Sequence, residues 1–98
     1  MLVKIHSSYR NVVAICDSNL IGKSFEEGIK CLSITPNFFQ GEEKTEKEVL
    51  EIIERGSDED YTFNIVGKES IALALKAGII KEEGITRIQG IPAALVLL

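Results

Sequence analysis

The sequence predicts one α+β domain spanning residues 1–98, a mixed α/β arrangement in which a mixed β-sheet carries two α-helices, at about 45–55 and 69–77. Three observations carry that reading. Apolar residues make up 45% of the chain and are dominated by fourteen isoleucines, with four Phe, two Tyr and no Trp, a composition that suits short aliphatic strands. Residues 61–80 run strand, turn, helix, stop: 62–66 is β-branched and aromatic, Gly67 breaks the run, and 69–77 is rich in Ala, Leu and Lys. Thr45 followed by Glu48 spells a helix-capping box. At 98 residues the chain falls within the size of a single domain, about 100–150 residues.

From the N-terminus, Leu2, Lys4 and His6 alternate with Val3 and Ile5, a strand pattern. Residues 7–10 read as a four-residue hairpin loop and 11–16 as the returning strand. Residues 17–22 are a turn, because Asp, Ser and Asn side chains bond nearby backbone groups. Residues 23–27 suit a helical turn or a strand equally, and 28–35 alternate weakly as a strand. Residues 36–41 form a loop whose adjacent Phe38 and Phe39 divide between core and surface. The first helix buries Val49, Ile52 and Ile53, exposes Glu46, Lys47, Glu51 and Glu54, and stops at Gly56. The second packs Ile71 and Leu75 on the sheet and stops at Gly78, with Ile79 folding back over its last turn. Residues 81–84 form a turn, 85–88 a short strand, and 91–98 an apolar finish. Pro92 lacks an amide donor, so the last strand begins after it or lies at a sheet edge.

No apolar run approaches the roughly 18–20 residues that span a membrane. Residues 1–6 lack the apolar segment of a secretory signal. A cytoplasmic protein with no membrane partner is expected. Cys16 and Cys31 are too few and too far apart for a zinc site, and both read as buried free thiols, with a disulfide between them as the alternative reading. Net charge is −4, which disfavours a nucleic-acid binder on every face. The charge is segregated: residues 42–60 hold nine acids and three bases, whereas the remainder holds eight bases and six acids.

Catalytic constellations fail on spacing. Gly22-Lys23-Ser24 ends like a phosphate-binding loop, but the glycine required five residues earlier is Asp17. Gly67-Lys68 joins a strand to a helix, whose N-terminus attracts anions, yet one glycine makes no cradle. His6 and Cys16 fall at opposite ends of the predicted hairpin, His6 facing Asn11 and Cys16 near Met1, roughly 16 Å apart at 3.3 Å per residue, beyond the reach of a catalytic dyad. The carboxylates of the first helix are interspersed with Lys47 and Arg55 and lack ligand-spaced histidines, so they read as a solvated face.

Four blocks, Cys16-Asp17-Ser18-Asn19-Leu20-Ile21-Gly22-Lys23, Phe38-Phe39-Gln40-Gly41, Asn64-Ile65-Val66-Gly67 and Ile88-Gln89-Gly90-Ile91-Pro92, together resemble the DUF424 family of small uncharacterised archaeal proteins. The resemblance implies a single DUF424-like domain, archaeal and cytosolic, and supplies no reaction. The family pattern continues after the final proline with a histidine and a glutamine, where this chain has Ala93-Ala94-Leu95. Chemistry that such a histidine performed elsewhere is not available here in the same form.

The expected function is therefore a non-catalytic accessory or interaction protein without cofactor, metal or catalytic residues, an enzyme being disfavoured because no complete catalytic constellation exists. Its expected partner is macromolecular, the ribosome and its rRNA or a translation factor. The contact candidates for RNA or another anion are Lys4, Arg10, Lys23, Lys30, Gly67, Lys68 and Arg87. The alternative is a small anion- or nucleotide-binding domain, enzymatic in its extreme form, built on the Gly22-Lys23 and Gly67-Lys68 turns. The C-terminal segment is read as an internal strand, with a homodimer contact as the other use of its apolar surface.

Overall fold

Alternation along the strands gives the sheet two apolar faces. Val3, Val13, Ile15, Phe63, Ile65 and Val96 belong to one buried cluster, while the intervening Ala14, Cys16 and Val66 belong to another. The computed structural model describes residues 1–7 and 9–97. Ser8 of the predicted hairpin loop and Leu98 of the predicted apolar finish lie outside the described residues.

The strands are β1 (Leu2–His6), β2 (Val12–Cys16), β3 (Ser24–Glu27), β4 (Lys30–Ser33), β5 (Glu42–Glu43), β6 (Thr62–Val66), β7 (Thr86–Ile88) and β8 (Ile91–Val96). The helices are α1 (Pro36–Phe39), α2 (Glu46–Asp58) and α3 (Lys68–Ala77), with single 3₁₀ turns at Ser18–Leu20 and Glu82–Gly84. Among the described residues the main sheet has the order β5-β1-β2-β6-β8-β7, and β3-β4 form a separate two-stranded hairpin. The β2–β6 pair is parallel and the other pairs are antiparallel, so the sheet is mixed as predicted. Helices α2 and α3 cover the first face. The hairpin, α1 and the 3₁₀ turn after β2 cover part of the second.

The local signals hold. Thr45 Oγ1 accepts from Glu48 N at 3.2 Å while Glu48 Oε1 accepts from Thr45 N at 3.0 Å, completing the capping box. Gly78 ends α3 in the left-handed conformation at φ +80°, its N–H shared between the carbonyls of Ala74 and Leu75. Ile79 then folds back onto the first cluster. Phe39 is buried and Phe38 half-buried, the expected division of that pair.

Several expectations need correction, each for a tertiary reason. Residues 28–35 are not one strand: Gly28, at φ +62°, opens a two-residue turn in the position a glycine favours, and the chain doubles back from β3 to β4. The 36–41 loop contains the short helix α1, with Pro36 in its first turn. Helix α2 does not stop at Gly56 but continues to Asp58, and Gly56 is buried against the ring of Phe63. The buried line of α2 is accordingly Val49, Ile53 and Gly56, one face at helical spacing, which leaves Ile52 half-buried at the rim. On α3, Ile71, Leu73 and Ala74 join the first cluster, and Leu75 turns out to 37% exposure. The β1–β2 register pairs His6 with Val12 rather than Asn11. Pro92 lies inside β8, between β6 and β7. Its carbonyl accepts from Gly67 N at 2.9 Å, so its missing donor faces the point where β6 has already ended. Cys16 is buried as expected, whereas Cys31 is exposed because its neighbour Leu32 takes the inward position on β4.

Candidate functional site

In open α/β sheets ligands bind beyond the carboxyl ends of parallel strands. Here those ends are Cys16 of β2 and Val66 of β6, paired in register, followed by Asp17 and Gly67. The space is filled from within. Asp17 is only 6% exposed; its Oδ2 accepts from Glu69 N at 3.0 Å, and its Oδ1 accepts from Ser70 N at 2.8 Å and Ser70 Oγ at 2.7 Å. Glu69 and Ser70 are the second and third residues of α3, whose amides an N-cap side chain ordinarily satisfies. Gly67, in the cap position, has no side chain to offer. Asp17 caps the helix from just past the end of β2, 52 and 53 residues away in sequence from the two amides, and its negative charge lies at the positive end of the helix dipole.

The two glycine-lysine turns are likewise internally committed. Gly22 N donates to Ile34 O at 2.7 Å, Lys23 N to Leu20 O at 3.0 Å, and Gly67 N to Pro92 O at 2.9 Å. Amides so engaged cannot cradle a phosphate without breaking the fold's own bonds. What the structure does bring together is the set of four blocks noted in the sequence. Asp17 N donates to Val66 O, Gly67 N donates to Pro92 O, and Phe39 packs in the cluster that contains Cys16, Leu20 and Val66. The blocks therefore meet in a structural brace.

The basic candidates are distributed over separate elements. Lys4 Nζ donates to Asn37 O at 2.7 Å, and His6 Nε2–H donates to Phe38 O at 2.8 Å while its ring stacks on Phe38 at 4.7 Å. These two β1 side chains hold α1 onto the second face. Arg10 lies in the first hairpin loop, Lys23 precedes β3, Lys30 opens β4 and Lys68 opens α3. Arg87, on β7, pairs with Glu82 at 2.6 Å. His6 and Cys16 sit at opposite ends of the β1–β2 pair, where Leu2 faces Cys16 and His6 faces Val12. Burial pushes the Cys16 thiol up to about 11, with the neighbouring Asp17 charge acting in the same direction.

Two surface features escaped sequence reasoning. Tyr9 and Ile29 are fully exposed at the tips of the two hairpins, each followed directly by a base, Arg10 and Lys30. A groove of about 560 Å³ lies on the second face between β4, α1, β6 and β8. Phe38, Asn64, Thr86 and Leu95 line it, and none of its lining residues is charged. Asn64, half-buried on β6, has no hydrogen-bond partner for its carboxamide among the described residues. An Asn in the middle of an apolar strand, disfavoured there by propensity, is the one signal that could have pointed to this groove.

With an α+β fold braced at the carboxyl ends of its parallel pair, the chain falls in a class of small single-domain proteins with a mixed sheet. It belongs to the family described as "Protein of unknown function (DUF424)", whose model matches residues 5–98. It is similar in fold to a solved structure, the crystal structure of an uncharacterized conserved protein from the archaeon Methanopyrus kandleri. The two share a TM-score of 0.82 and 23% sequence identity over 98% of this chain and 90% of that one. No curated protein matches the sequence. No helix among the described residues is long and apolar enough to cross a membrane.

Proposed function

We propose that this chain is a non-catalytic interaction protein that docks on a macromolecular partner, with the ribosome or a translation factor as the partner to test first. The observation that carries the reading is the pair of hairpin tips, where Tyr9 beside Arg10 and Ile29 beside Lys30 each hold an apolar side chain in full contact with water. An exposed apolar group next to a cation is the composition of interface anchors, in which Tyr and Arg are over-represented. The acids of residues 42–60 are concentrated on and around α2, against the first face, away from the β3–β4 hairpin on the second. The alternative of an anion- or nucleotide-binding domain finds less support, because the amides of Gly22, Lys23, Gly67, Glu69 and Ser70 are all engaged within the protein.

Sucrose-gradient sedimentation of native extract at low salt tests the proposal. The protein should travel with ribosomal particles or a translation-factor complex, and a Tyr9→Ser, Ile29→Ser double variant should shift toward the top. Wild-type protein found only at the top, with or without crosslinking, overturns it.

A further inference from the structure

We infer that the groove on the second face is the contact surface of a twofold dimer, and that its occupant is a second copy of this chain. The first argument is charge. In a chain with 27% charged residues and a net charge of −4, two identical surfaces repel wherever a charge meets its own copy across the axis. The groove lining holds no charged side chain, so this groove can meet its own copy without that penalty.

The second argument is shape. A twofold contact uses the same patch on both copies, so the patch must contain both a recess and something to fill it. Leu95 lines the groove and is 58% exposed, and Leu97, two residues on, is 71% exposed. One of the strands that line the recess, with its extension, thus also carries the apolar side chains that can fill it.

The third argument is hydrogen bonding. Asn64 sits directly opposite Leu95 in the β6–β8 register, and its carboxamide is unpartnered among the described residues. A carboxamide carries both a donor and an acceptor and so is complementary to itself. A twofold axis through the groove lets the two copies of Asn64 donate to one another, which gives this residue a reason to stand in the middle of a strand.

Sedimentation equilibrium from micromolar to submillimolar protein reads the outcome, and it does not depend on whether the macromolecular partner above is found. Wild-type protein should dimerise within that range. Leu95→Lys, at a site exposed in the single chain, should raise the dissociation constant about a hundredfold or more by burying an unpaired charge against its copy. Asn64→Asp should weaken the dimer at neutral pH and recover when acid protonates the facing carboxyls, a reversal that a merely structural role does not produce. Lys47→Ala, exposed on α2 over the opposite face, should leave the dimer unchanged. A wild-type monomer throughout the range overturns the inference, as does a dimer that Leu95→Lys leaves equally tight. Circular dichroism confirms that each variant is folded, and if Asn64→Asp unfolds, Leu95→Lys decides alone.

Discussion

The carboxylate carbon of Asp17 lies 2.3 Å from where a Cβ on Gly67 would be, and both carboxylate oxygens lie 2.6 Å from it. Gly67 adopts φ +112°, a conformation L side chains rarely take. The glycine is thus required twice over: for its backbone, and for the room it leaves the acid that caps α3. Together the two residues join the carboxyl ends of β2 and β6 to the start of a helix.

Asp17→Ala should strand two helix amides and the Ser70 hydroxyl in a buried site, costing about 3 kcal/mol from the lost cap and the unsatisfied donors together. Gly67→Ala should also destabilise, by roughly 1–3 kcal/mol from backbone strain and more from the clash. The two changes are not independent, because removing the carboxylate frees the space a new Cβ needs. Chemical denaturation of both single variants and the double should give a coupling of about 0.5–3 kcal/mol. Strict additivity would show that the contact is not the one described.

The first-face helix offers a sharper contrast than its sequence suggested. Thr45→Ala removes half of the capping box and should cost about 1 kcal/mol. Ile53→Ala, at a fully buried position, should cost roughly 2–5 kcal/mol. Ile52→Ala should fall well short of that, since Ile52 is half-buried at the rim. Gly56→Ala reverses the ordinary rule. Ala is favoured over Gly inside a helix by about 1 kcal/mol, but here its Cβ would come within 2.5 Å of Phe63 Cζ and 3.0 Å of Tyr61. Phe63 is fully buried and cannot yield, so thermal melts should place Gly56→Ala below wild type.

These cases show what was legible in the sequence and why. Features settled within a few residues were readable: the Thr45–Glu48 box, the Gly78 stop, the alternation of β1 and the strand-to-helix passage at Gly67. Features settled by what lies opposite were not. Gly56 looks like a stop until Phe63 is known to pack on it. Leu75 looks buried until α3 is rolled onto β6 and β8. The capping of α3 by Asp17 spans 52 and 53 residues to its two amides and leaves only a negative trace, a helix start without a capping side chain of its own. The β3–β4 hairpin was hidden because Gly28-Ile29 carries an apolar residue where turns usually carry a polar one.

The two cysteines should separate cleanly in thiol labelling. Cys31 is exposed and should react with a maleimide or a disulfide reagent in the native state. Cys16 is buried, with its thiol pushed up to about 11, so it should react only on unfolding. The raised value has a stability consequence on the alkaline side. A thiol held protonated in the fold contributes stability that is complete below its ordinary 9.0 and is lost as pH rises toward 11. Cys16→Ala should flatten that alkaline limb. Equal labelling rates for the two thiols in native protein would contradict the burial of Cys16.

On the acid side two carboxyls act together. The Met1 ammonium, with Ser18 Oγ, holds Glu43 below its ordinary value, and the Thr45 backbone N–H does the same for Glu48. Each is a carboxylate whose folded pKa is depressed. Its contribution is therefore present above the ordinary value of 4.5 and lost as pH falls through the lower native one. Both groups are exposed, so the effect should be modest and should shrink with added salt. A melting curve series in acid, run on wild type, Glu43→Gln and Glu48→Gln, should show a shallower acid limb in each variant. Parallel limbs in all three would remove both groups from the account.

The C-terminal strand gives the last test, because alternation assigns neighbouring residues to different tasks. β8 lies between β6 and β7, with Val96 paired to Phe63 and buried in the first-face cluster. Leu95 and Leu97, on either side of it, are largely exposed. Burying a Val or Leu side chain is worth about 1.5–3 kcal/mol. Removing residues 95–98 takes that contribution away together with two positions of the β6–β8 pairing, a substantial share of a total stability of about 5–15 kcal/mol. The melting temperature of the truncated chain should fall at every protein concentration. Val96→Ala should reproduce much of that fall, whereas Leu97→Ala should leave the melting temperature at low concentration unchanged. If Leu97→Ala destabilises the dilute chain as much as Val96→Ala, the strand faces the other way and the pairing of Val96 with Phe63 is wrong.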